Sequence, residues 1–241
     1  MTDAELTTGR TQADAAELEV AGARLVADAS GALWWPLERV LVVADLHLEK
    51  GSSFAARGQM LPPYDTAATL ARLARAVAQF APRAVIALGD SFHDRRGQAR
   101  MAPADLAALA AMQAGRDWLW IAGNHDPEPV TGLAGVSLPE VALGPLTFRH
   151  EPQAGAAAGE VSGHLHPVAR LRVRGHGLRR RCLAADAARA VLPAFGAYAG
   201  GLNMRDPAFA PLFPGGRACA WVMGAARVYR IAAERLLPDP R

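Results

Sequence analysis

The sequence predicts an α/β fold of two β-sheets packed face to face and flanked by helices, and three features carry that expectation. Residues 40–44, 84–88 and 118–122 are short, almost wholly apolar runs, the pattern of strands buried on both faces of a parallel sheet. Helix-length segments separate these runs, as parallel connections require. After Pro145 strand-like runs at 147–150, 160–166, 169–174, 178–184 and 227–231 follow in quick succession, which suits an antiparallel half. With no internal repeat and no linker long enough to separate domains, a single domain over residues 17–241 is expected.

Taken in order, residues 1–16 are polar, Ala-rich and without a firm period, and read as a loose tail. Runs at 18–20, 24–27 and 32–35 read as strands. Residues 66–80 read as a helix, with Leu70, Leu73, Val77 and Phe80 on one face and Arg72 and Arg75 off it. A second helix starts near Pro103, a good first-turn residue, shows Leu106, Leu109 and Met112, and stops at Gly115. Trp118 and Trp120 alternate within a strand and read as core. A base-stacking platform from Trp35, Phe92 or Tyr64 is conceivable chemically, but no spacing supports it.

At 241 residues with 51% hydrophobic content the chain can bury a substantial core. It has no 18-residue apolar stretch, so no membrane span is expected. Acidic Asp3 and Glu5, with no basic segment leading an apolar one, argue against a secretory signal. Cys182 and Cys219 form no paired framework and read as ordinary buried thiols in a reducing, cytoplasmic setting. The net charge is only +3, carried by 25 arginines and one lysine, Lys50, against 23 acidic residues.

The chemistry lies in an ordered set: Asp45-x-His47, Gly89-Asp90, Gly123-Asn124-His125-Asp126, His150 and Gly163-His164-Leu165-His166. Each piece follows an apolar run, and together they use five of the seven histidines, with His93 as a possible sixth. In open α/β sheets ligands gather beyond the carboxyl ends of the strands, so Asp45, Asp90 and Asn124 should converge on one rim. Side chains at i and i+2, as in Asp45-x-His47 and His164-x-His166, would share one side of an extended segment. Gly89 and Gly123 permit a sharp turn and close backbone approach. Carboxylate, amide oxygen and imidazole without thiolate suit manganese, iron or zinc. Two such ions with Asp45, Asp90 and one hydroxide would leave a formal charge of about +1, which attracts a phosphate. A metal pair can activate water and stabilise charge on phosphoryl oxygens, so phosphoester hydrolysis is the expected reaction.

In these motifs the chain resembles the calcineurin-like metallophosphoesterase superfamily. The resemblance implies a four-layer α/β/β/α sandwich of two mixed sheets flanked by helices. It implies that one metal takes Asp45, His47, Asp90 and His166, that the other takes Asp90, Asn124, His150 and His164, and that Asp90 bridges. It makes His125 the general acid, with Asp126 orienting its ring. The stretches DLHLEKGSSF, LPPYDT, GDSFHDRRG and LPAFGAYAGGLN are similar to the ligase-associated DNA-damage-response endonuclease (PdeM) family. That likeness implies a manganese-dependent phosphodiesterase acting on DNA, single-stranded or damaged, in functional association with a DNA ligase and a helicase. GNHD and GDSFHDRRG depart from the GNHE and GDxxDRG of the protein-phosphatase branch.

For substrate contacts, Arg170, Arg172 and Arg174 alternate along an expected strand and would share one face toward a nucleic-acid backbone, with solvated surface as the alternative. Arg95 and Arg96 stand nearer the metals and could position a phosphate or form structural ion pairs. Three other functions stay open: a phosphomonoesterase, a small-nucleotide phosphodiesterase, and a non-catalytic scaffold on the same fold.

Overall fold

The computed structural model describes residues 15–155 and 158–240. Strands β1 (Ala15–Val20), β2 (Ala23–Asp28), β3 (Leu33–Trp35), β4 (Val40–Val43), β5 (Ala84–Leu88), β6 (Asp117–Ile121) and β7 (Val136–Leu138) form one sheet in that order. The first four are antiparallel neighbours, and β4 through β7 run parallel. The second sheet contains β8 (Glu140–Leu143), β9 (Leu146–Arg149), β10 (Glu160–Ser162), β11 (Val168–Val173), β12 (His176–Ala185), β13 (Arg189–Val191), β14 (Cys219–Met223) and β15 (Val228–Ala232). Its order is β15-β14-β12-β13-β10-β9-β8, and β11 pairs with β12 in a hairpin.

Three apolar layers hold the sheets. Between them, Val20, Leu25, Val42, Ile86 and Leu88 of the first sheet meet Leu146, Phe148, Val161, Leu183 and Trp221 of the second. Four helices lie among the described residues, the short α1 (Lys50–Ala55) and α3 (Gly97–Arg100) and the longer α2 (Asp65–Phe80) and α4 (Pro103–Gln113); on the outer face of the first sheet, Leu41, Val43, Val85 and Ala87 pack against α2 and α4. Alternate residues of β4 and β5 therefore enter different cores, which is why these strands read as continuous apolar runs. Leu70, Leu73 and Val77 of α2 are buried, and the helix ends at Ala81 in left-handed conformation with Pro82 beyond it. The outer face of the second sheet is covered mainly by Met204, Phe209, Leu212, Phe213 and Leu236, from irregular chain with a 3₁₀ turn at Pro207–Phe209. The fourth layer thus lacks an α-helix among the described residues.

Other expectations shift in detail. The tail expected at 1–16 falls mostly outside the described residues, although Ala15 and Ala16 already belong to β1. The half expected to be antiparallel is mixed, because β10 pairs in parallel with both β9 and β13. The strand expected over 160–166 stops at Ser162, which frees the following histidines from the ladder. Trp118 and Trp120 are core residues, as are Trp35 and Phe92, so the last two offer no stacking platform. Both cysteines are free and buried, and burial pushes the Cys182 thiol well above its usual pKa.

Candidate metal centre

Two parallel stretches, β4-β5-β6 in one sheet and β9-β10 in the other, bring five strand ends to one rim. Asp45, Asp90 and Asn124 follow the first set, and His150 and His164 follow the second. Beyond the sheet the chain keeps the two leading loops together: Asp45 N–H donates to Gly89 O at 3.2 Å, His47 N–H to Asp90 O at 2.9 Å and Leu48 N–H to Ser91 O at 2.9 Å. The loops are not extended. Asp45, His47, Asp90, His164 and His166 all have positive φ, between 43° and 69°, so alternate left-handed residues aim these side chains, not a strand-like repeat. Left-handed non-glycine residues cost on the order of 1–3 kcal/mol each and persist where surrounding structure over-determines them.

The motif glycines are required by close approach. A Cβ on Gly89 would lie 2.5 Å from the His150 ring, and one on Gly123 would overlap the Asp90 backbone nitrogen and carboxylate. Any side chain there would displace a residue of the site itself.

The donors fall into two groups. In one, His166 Nε2 lies 3.2 Å from Asp45 Oδ1 and 3.4 Å from His47 Nε2, and His47 Nε2 lies 3.8 Å from Asp90 Oδ2. In the other, Asn124 Oδ1 lies 2.9 Å from His150 Nε2 and 3.0 Å from His164 Nδ1, and His150 Nε2 lies 3.5 Å from Asp90 Oδ1. Asp90 therefore presents one carboxylate oxygen to each group. A hydrogen bond sets the ring: His150 Nδ1–H donates to Leu88 O at 2.9 Å, which turns Nε2 toward Asn124 Oδ1 and Asp90 Oδ1.

Charge supports a cation site. Asp45 and Asp90 are 0% and 2% exposed, and among the described residues their ion-pair partners are histidines only. Buried charge needs a compensating partner. Burial, reinforced by the neighbouring His166, His93 and His125, holds His47 at a pKa of about 2, so its ring is neutral. Burial opposes the His166 charge, but the hydrogen bond and charge of Asp45, with Asp90, raise its pKa above the usual value. Two such carboxylates beside imidazole and amide donors fit divalent cations.

The ring of His125 is 40% exposed. Its Nδ1–H donates to the backbone carbonyl of His93 at 2.8 Å, and its Nε2 stands 3.9 Å from Asp90 Oδ2. Asp126 does not orient this ring. Its Oδ2 accepts the Phe92 N–H at 3.0 Å, and its Oδ1 is buried without a partner. Burial pushes the Asp126 pKa up to about 7. Asp126 thus ties the GNHD loop to the 90–92 loop from behind, while the His93 carbonyl takes the role that sequence adjacency suggests for Asp126.

His93 itself joins the site, stacked on His125 with centroids 5.2 Å apart and with Nδ1 3.3 Å from His47 Nδ1. Sequence spacing marked it only as a possible addition. The segment containing LPAFGAYAGGLN also reaches the site, with Phe195 N–H bonded to Ala44 O at 2.8 Å and Gly196 N–H to Asp45 O at 3.0 Å. Lys50 lies beside it, a residue that the motif spacing did not single out.

The arginines stand farther out. Arg95 pairs with Glu128 at 2.9 Å, and Arg96 has an exposed side chain whose backbone N–H bonds Asp94. Arg170 donates to Pro238 O at 2.6 Å, so it fastens the C-terminal segment. Arg172 is exposed on β11, while Arg174 has φ 49° in the hairpin turn and does not continue the strand's face. The expected single face of three arginines is therefore broken at both ends, by a tether at Arg170 and a turn at Arg174.

The family model for calcineurin-like phosphoesterases matches residues 38–176, more than half of the chain. The solved structure of Pseudomonas putida nuclease MPE is similar over 90% of this chain and 100% of its own, with 31% identity and a TM-score of 0.68. No curated protein sequence matches. The matched span holds all seven of the converging donors and the His125 loop, and on that basis the chain belongs to the calcineurin-like phosphoesterase family.

Proposed function

We propose that this protein is a manganese-dependent phosphodiesterase that hydrolyses DNA, cutting single strands endonucleolytically during repair. The observation that carries this reading is Asp90, whose two oxygens face separate donor groups at an open rim. Asp45, His47, Asp90 and His166 would hold one ion, and Asp90, Asn124, His150 and His164 the other. Two divalent ions held there would supply Lewis acidity to phosphoryl oxygens and activation of the attacking water.

The chain's own groups do the rest. Asn124 adds a ligand without negative charge, which keeps the site attractive to a phosphate. His125, fixed through Nδ1 by the His93 carbonyl, presents Nε2 3.9 Å from Asp90 Oδ2, beside both donor groups, and protonates the departing oxygen. His93, His125 and His164 are all partly exposed, so the site opens on the surface, where a polymer can pass through. The strands of the β11–β12 hairpin begin just after His166, and its exposed Arg172 and Arg174 would meet backbone phosphates remote from the scissile one. Similarity to a protein described as a nuclease supports nucleic acid as substrate. We further assign the protein to the cytoplasm, in functional association with a DNA ligase and a helicase. Among the described residues no helix is long and apolar enough to cross a membrane.

The test compares a chromogenic phosphodiester, a phosphomonoester and circular single-stranded DNA with manganese, iron or zinc. Manganese-dependent conversion of the circle to linear form is expected. Hydrolysis of the monoester alone would refute the reading.

A further inference from the structure

Lys50 is the one lysine in a chain with 25 arginines. It opens the short helix α1 (Lys50–Ala55), directly after the Asp45–His47 loop. Its ammonium donates to Tyr198 O at 3.1 Å, on the segment that backs Asp45, and sits 5.8 Å from the centroid of Phe54. Phe54 in turn lies 5.7 Å from the ring of His93. No carboxylate pairs with Lys50 among the described residues, although its charge is close enough to oppose protonation of His47 and His93. Two ammonium N–H groups remain without a hydrogen-bond partner among the described residues, and His93 and His125 nearby are partly exposed.

We propose that Lys50 binds a second phosphate of the substrate, the one next to the phosphate held at the metal centre. The inference deepens the phosphodiesterase reading and rests on it for the presence of that second phosphate. An ammonium suits this place because it is compact. It fits between a carbonyl and an aromatic face, where the planar fork of a guanidinium would demand more room. Partial burial disfavours its charge, with Asp65 only partly compensating, and an incoming phosphate oxygen relieves that deficit.

A structural alternative is that Lys50 merely fastens the Tyr198 segment behind Asp45. The two roles separate in equilibrium binding, which needs no turnover. Manganese-loaded wild type and Lys50→Met are titrated calorimetrically with thymidine 5′-phosphate and thymidine 3′,5′-bisphosphate, and metal content is measured by mass spectrometry. Loss of one charge-assisted contact should weaken the bisphosphate by about tenfold and leave the monophosphate within about twofold, with both ions retained. Lys50→Arg should retain some of the preference for the bisphosphate. Equal weakening of both nucleotides, or loss of metal from Lys50→Met, would overturn the proposal. Failure of the phosphodiesterase reading would show separately, as absence of diester hydrolysis by wild type.

Discussion

Asp126→Asn separates two accounts of the GNHD loop. In one the carboxylate orients His125, and its loss should slow the reaction by much of the roughly 10²–10⁴-fold that general acid catalysis supplies. In the structure Asp126 instead accepts the Phe92 N–H and is buried, which an asparagine carbonyl can reproduce. Activity should therefore stay within about threefold of wild type. Stability gives a second measure in the metal-free protein. The folded-state pKa of Asp126 is raised from 3.8 to about 7, chiefly by burial, so the folded state binds its proton more tightly than the unfolded state does. Its effect is neutral-form stability, intact below about pH 4 and lost as the pH rises to about 7. The full loss is on the order of 4 kcal/mol. Asparagine has no such titration, so urea midpoints measured in chelator should show the variant more stable than wild type at pH 8 and equal to it near pH 4. A large fall in turnover with both metals retained, or a variant less stable at pH 8, would refute this reasoning.

Asp90→Ala should abolish activity and lose metal from both donor groups while the protein still folds; two ions per chain by mass spectrometry would sink the bridging assignment. His125→Asn should keep both ions and slow cleavage by roughly 10²–10⁴-fold, more on DNA than on a p-nitrophenyl diester, whose leaving group needs no proton. Equal losses on the two substrates would point to charge stabilisation in place of proton donation. Arg172 and Arg174 changed together to Ala should lower the salt slope of single-strand binding by about 1.4, since each neutralised phosphate contributes about 0.7. An unchanged slope would make both arginines plain surface residues.

The central strands were legible because β4 and β5 are buried on both faces and must be apolar throughout. β13 was not, for an equally physical reason. Its first residue, Arg189, is 1% exposed and survives burial through an ion pair with Glu160 at 3.1 Å, so a charged residue stands where the pattern demands an apolar one. The parallel pairing of β10 with β9 and β13 depends on contacts distant in sequence, which local periodicity does not carry. For the site, the sequence supplied donor types and their order along the chain. It did not supply their backbone, because Asp and His visit the left-handed region more often than most residues yet only the surrounding loops decide where they do. Nor could adjacency in Asn-His-Asp reveal that the second carboxylate turns inward.

Those left-handed residues explain why the centre needs two sheets. Donors held at positive φ relax unless the chain on either side is fixed. Here Asp45 and Asp90 leave neighbouring parallel strands, and their loops remain hydrogen-bonded to each other beyond the sheet. The second sheet then closes the site through the donors themselves: His164 N–H bonds Asp45 Oδ2 at 3.0 Å, and His150 Nε2 meets Asn124 Oδ1 at 2.9 Å. The apolar layer containing Val42, Ile86, Leu146 and Val161 fixes the distance between these strand ends. A cavity in that layer would therefore act on catalysis as well as on stability, because no flexible linker lies between the core and the ligands to absorb the shift.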